Sequence, residues 1–203
     1  MELNFRSINM KKIALVLAML GLTTSAFALE SGISETGLSY NEVGIGYGVE
    51  GDTTEDYKGF GVGISALVTK NIYVTGQVKN PSTPTVDSQQ YMAGVGARTA
   101  ITSNADLYAS VNYLNGKYTF TGGSLIVTGY SLATGVRAII APKVEGSLNL
   151  SYFDGKNRIE SITETRYGVG LGYQFTDKVI GRTNYYMTPD SIKGYSVSLG
   201  YMF

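Results

Sequence analysis

From residue 41 onward, apolar residues recur at every second position. In "NEVGIGYGVE", Val43, Ile45, Tyr47 and Val49 share one face, while Glu42, Gly44, Gly46 and Gly48 share the other. "KGFGVGISALV" sets Phe60, Val62, Ile64, Ala66 and Val68 against Gly59, Gly61, Gly63 and Ser65. The same alternation runs through 91–101, 106–113, 129–138, 144–152, 166–175 and 194–203, and more weakly through 71–79 and 178–187. A period of two is the mark of a strand with two unlike faces. Ten strands are predicted, with eight as the alternative count, each near the length that crosses a bilayer at a tilt.

The connections alternate in length. "TKN" (69–71), "TSNA" (102–105), "APK" (141–143) and "TDK" (176–178) are tight, whereas 50–58, 80–89, 115–124 and 154–165 read as long polar loops and 188–193 as a shorter one. Short turns at one end and long loops at the other, with an even strand count, describe a membrane barrel with both termini on the short-turn side.

A soluble barrel would turn the apolar face inward, which would leave an exterior of glycine, serine and arginine without the mixed charge such surfaces carry. The aromatic residues argue the other way. Tyr47, Tyr91, Tyr113, Tyr130, Tyr152, Tyr167, Tyr185 and Tyr195 fall at the long-loop end of the apolar face, and Tyr173, Phe175, Tyr201 and Phe203 at the other. Two aromatic belts around a Val/Leu/Ile/Ala band match a bilayer and its interfaces. The expected fold is therefore all-β, an antiparallel up-and-down transmembrane β-barrel.

The opposite face carries glycine in alternation, and Gly46, Gly48 and Gly51 spell a literal G-x-G-x-x-G. A dinucleotide site needs a helix opening at the third glycine, yet "DTTEDYKG" follows with no helical period, and the alternation returns at three other places. These glycines are read instead as lining a narrow lumen where small and large side chains share space. Six inward charges fall near the short-turn end: Arg98 and Asp106 flank "TSNA", Arg137 and Glu145 flank "APK", and Glu42 and Arg182 begin their strands. Hairpin geometry brings such positions together, so a polar plug is expected; separate hydration of each charge is the alternative.

The first 28 residues stand apart. "MKK" precedes the apolar "IALVLAMLGL", and "AFA" ends the stretch, with Ala26 and Ala28 at the positions of a cleavage site. This is the pattern of a secretory signal, so residues 1–28 are expected to be removed and residues 29–203 to form one barrel domain. The remainder has thirteen Lys and Arg (16 less Arg6, Lys11 and Lys12) against fifteen Asp and Glu (16 less Glu2), which gives no footprint for nucleic acid. Histidine and cysteine are both absent, removing the imidazole bases and the usual zinc ligands. Neither a cofactor nor a metal site is expected.

The tail "YSVSLGYMF" places Tyr195, Val197, Leu199, Tyr201 and Phe203 on one face and stops on phenylalanine. It is similar to the C-terminal signal read by the barrel assembly machinery, and the region from residue 29 resembles the small outer-membrane barrels of Gram-negative bacteria, the OmpX-like and OmpA-transmembrane-domain-like group. Ten strands depart from the eight common in that group. The resemblance implies a bacterial outer-membrane location, contact with lipid and lipopolysaccharide, and engagement of the assembly machinery. Its enzymes rely on a catalytic histidine, so a non-enzymatic role is expected: a rigid cylinder presenting surface loops for envelope integrity, adhesion or an unidentified host or surface ligand, with a narrow channel as the alternative. The acidic "EGDTTED", with Glu50, Asp52, Glu55 and Asp56, reads mainly as a solvated turn.

Overall fold

The computed structural model describes residues 35–51 and 56–203. Ten strands run β1 Glu42–Gly51, β2 Asp56–Leu67, β3 Ile72–Ser82, β4 Val86–Thr102, β5 Ala105–Phe120, β6 Gly123–Ala141, β7 Val144–Lys156, β8 Ser161–Thr176, β9 Val179–Met187 and β10 Lys193–Met202. Each pairs antiparallel with its neighbours in sequence, and β1 pairs with β10 to close the barrel.

The closure is staggered. Crossing the ladders from Tyr173 through Gly181, Leu199, Ile45 and Val62 leads to Val78 and Tyr91. From there the path passes Asn115, Thr128 and Lys156 and returns to β8 at Ser161, an offset of twelve residues (173 − 161). A stagger of this kind obliges the strands to lean about 35–45° from the barrel axis and fixes the width of the interior.

The predicted faces hold apart from Val49, which the alternation sets on the outward face and which is buried at 8% exposure. Ile45, Val62, Val95, Leu132, Leu148, Val169, Leu171 and Val197 all point outward and are exposed, as are the tyrosines of both belts apart from the half-buried Tyr47. An apolar wall running right round the barrel is far beyond the patch a water-exposed monomer tolerates. The wall belongs in lipid, and closure leaves no open sheet edge there.

The predicted long loops are mostly strand. β3 and β4 meet across residues 83–85, β5 and β6 across 121–122, and β7 and β8 across 157–160. The physical reason is that the solvent changes partway up the strands. Above the upper tyrosines most outward residues become polar, Asp87, Gln89, Lys117, Thr119, Asp154, Lys156 and Thr163 among them, with Ile126 an exception. The inward ones become apolar, and Tyr57, Val86, Leu114, Tyr118, Val127, Phe153 and Ile162 form one buried cluster. The alternation continues there with its polarity inverted, so that polar composition resembles a loop. Burying each of these large side chains contributes roughly 1.5–3 kcal/mol, and the cluster caps the lumen at that end.

Candidate functional site: a lumen closed at two levels

The inward charges meet at the turn end. Arg98 Nη1 lies 3.0 Å from Asp106 Oδ2, Arg137 Nη2 2.9 Å from Glu145 Oε2, and Arg182 Nη1 2.5 Å from Glu42 Oε2. Glu145 Oε2 also lies 3.5 Å from Arg182 Nη2, so it bridges two arginines. All six predicted lumen charges therefore gather at one level. Asp106 and Arg137 are ladder partners across β5 and β6, which joins the two hairpin pairs. The side chains of the six are at most 9% exposed. Buried ion pairs of this geometry are near neutral in net stability, but removing one partner strands the other at a cost of about 3–5 kcal/mol.

A segment that the alternation did not assign completes this level. Residues ahead of β1 enter the lumen, where Leu38 and Tyr40 are fully buried and pack with Tyr73. The guanidinium carbons of Arg137 and Arg98 lie 4.6 and 5.2 Å from the centre of the Tyr40 ring.

The middle of the lumen is polar and small. Thr75 Oγ1 donates to Asn112 Oδ1 at 3.0 Å, and Asn184 Nδ2 donates to Ser196 Oγ at 3.4 Å. The glycines make room for large neighbours, as the sequence suggested. A Cβ on Gly96 would strike the Tyr73 ring, on Gly135 the Tyr108 hydroxyl, and on Gly194 the Tyr186 ring.

A second charged level lies below the apolar cap. Arg166 Nη2 is 3.0 Å from Glu50 Oε1, its Nε is bonded to Glu164, and its guanidinium covers Tyr186 at 4.9 Å. Lys79 is buried within electrostatic reach of Glu50. Sequence reasoning missed this cluster because Glu50 and Glu164 fall in stretches read as loops. Glu50 is therefore corrected from a loop acid to a lumen residue, while Asp56 stays at the surface, 3.3 Å from Lys58. Asp52 and Glu55 lie outside the described residues. No group of three or more metal-ligating side chains gathers among the described residues.

Tyr195, Val197, Leu199, Tyr201 and Phe203 all face outward on β10 and just beyond it, along the strand that closes on β1. Ala26 and Ala28 lie outside the described residues.

Neither a family model nor a curated protein matches the chain. Solved structures do. The NanC porin aligns over 79% of this chain and 100% of its own, at 9% identity and a TM-score of 0.54. An outer membrane channel from Pseudomonas putida F1 aligns over 80% of this chain and 95% of its own, again at 9% identity and a TM-score of 0.54. A loop-deleted OmpT, an outer membrane protein of Vibrio cholerae, is matched at 13% identity and a TM-score of 0.40 over 72% of this chain, which spans only 53% of that protein's length. At these identities the likeness is one of fold: the chain is a closed, ten-stranded membrane β-barrel, built like proteins that are porins and channels.

Proposed function

We propose that this chain is a non-enzymatic barrel of the bacterial outer membrane, closed to solutes, whose role is structural or interactive. In this reading residues 1–28 are a cleaved export signal ending at Ala28, and the outward aromatic face of β10 is read by the barrel assembly machinery. Lipid and lipopolysaccharide surround the wall, and the rigid rim of β4–β8 presents surface to an unidentified partner. The observation that carries the reading is the double filling of the lumen. Glu42 and Asp106 at the turn end and Glu50, Tyr118 and Val127 at the rim end are at most 1% exposed.

The alternative is a narrow channel. Its support is the fold shared with the NanC porin and the Pseudomonas putida channel, together with the polar middle of the lumen. Single-channel recording of the refolded protein in planar bilayers separates the two. Silence is expected; reproducible ohmic steps would overturn the closed reading and establish the channel.

A further inference from the structure

We propose that Thr36–Tyr40 is a releasable stopper, and that the turn-side half of the lumen is a socket for an extended peptide bearing an aromatic side chain, occupied by the chain's own segment. Glu35 is exposed, whereas Thr36 is 4% exposed and Leu38 and Tyr40 are wholly buried. Burial alternates at the mouth of the barrel, with Gly37 still exposed between Thr36 and Leu38, and Gly37 supplies the bend at φ +77°, a conformation that favours glycine.

The socket reads the segment through several kinds of contact. Thr36 Oγ1 donates to Asp106 Oδ1 at 3.1 Å, and Arg137 Nη1 donates to the Ser39 carbonyl at 3.0 Å. The Tyr40 ring lies against two guanidiniums, a cation–π arrangement strengthened by exclusion of water, and tilts on Tyr73 at 5.4 Å between centroids. Leu38, Tyr40 and Tyr73 form one buried cluster, against which Leu67 and Ile139 pack.

Its polar contacts use the spare valences of the ion pairs. Asp106 holds Arg98 with its other oxygen, and Arg137 holds Glu145 with its other nitrogen. The Arg98–Asp106 and Arg137–Glu145 pairs are therefore complete without the segment, and its departure breaks neither. The continuous ladders that fix β1 to β2 and β10 begin at Glu42; ahead of them Tyr40 makes a single isolated bridge, and its carbonyl accepts from Ser65 Oγ at 3.3 Å, contacts that release must break. Seating and release can then proceed while the barrel stays closed as a sheet, and a second extended peptide with a Leu-x-Tyr spacing would meet the same donors and ring faces.

The chain has no cysteine, so single thiols report directly. Leu38→Cys and, as an exposed reference, Glu35→Cys are refolded in liposomes in the chain from Leu29 and labelled with a water-soluble maleimide. Folding is checked by heat-modifiable migration. Leu38→Cys should react at least about a hundredfold more slowly than the reference, the reaction waiting on local opening. Adding Tyr40→Ala should bring it within about tenfold of the reference, whereas Tyr40→Phe, which keeps the ring, should preserve the protection. Thr36→Val should raise the rate several-fold without touching an ion pair. Equal rates for Leu38→Cys and Glu35→Cys would show that the segment is not seated. Protection unchanged by both Tyr40→Ala and Thr36→Val would show that the barrel holds it permanently, with no socket contact controlling release. Neither readout requires conductance, so the stopper and the closed-barrel reading can fail separately.

Discussion

Glu50 of β1 and Arg166 of β8 are 116 positions apart in the chain, yet their side chains meet across the lumen at 3.0 Å. The guanidinium also bonds Glu164, so two buried carboxylates share one guanidinium, with Lys79 within electrostatic reach of Glu50. Arg166→Met should therefore lose about 3–5 kcal/mol, the cost of stranding buried charge. Adding Glu50→Gln and Glu164→Gln should recover part of that loss. Urea unfolding in detergent micelles measures both.

At the turn end, Arg137→Ala should destabilise more than Arg137→Ala combined with Glu145→Ala. In the double variant Arg182 keeps Glu42 as its partner, so no charge is left alone. A coupling of about 1–3 kcal/mol is expected from a double-mutant cycle. Strictly additive losses would mean that each group is hydrated by itself.

Glycine substitutions should sort by face. Gly96→Ala drives a methyl group into the Tyr73 ring and should cost about 1–3 kcal/mol as overpacking. Gly76→Ala points outward, with Ile64 Cγ2 its nearest neighbour at 3.5 Å, and should stay within about 0.5 kcal/mol of the parent. Equal effects at the two sites would remove the packing account of the inward glycines.

Phe203→Ser should lower the yield of membrane-inserted barrel in cells while leaving the stability of protein refolded in vitro nearly unchanged. Phe203 follows the last strand and is half exposed on the outward face, so its packing contribution is small. Fractionation with heat-modifiable gel migration checks the first part and urea unfolding the second. Undiminished insertion would reduce the tail to an ordinary strand.

The sequence made the lipid-facing strands and the Arg98–Asp106 and Arg137–Glu145 pairs readable for one reason. Both depend on period two and on tight turns, so Arg98 and Asp106 are related by a count along the chain. Glu50 and Arg166 are not. Their meeting depends on the twelve-residue stagger, a property of the closed sheet that no local window contains. Leu38 and Tyr40 escaped notice because they are apolar on the inward face, opposite to the rule that identifies the wall. Leu114 and Tyr118 break the same rule above the upper tyrosines, where water replaces lipid outside.

The change of solvent along a single strand restricts how the gene can vary. Deleting one codon between Leu107 and Tyr113 would swing Leu114 and Tyr118 out to water, or else bring Val111 in beside the asparagines and put Asn112 against lipid. Either way two environments are violated by one event, and the ladders on both sides are displaced with it. Insertions and deletions are therefore confined to the connections, above all those at the rim. Lineages carrying this barrel should differ in length at 52–55, 83–85, 121–122, 157–160 and 188–192, and hold the reading of every strand fixed.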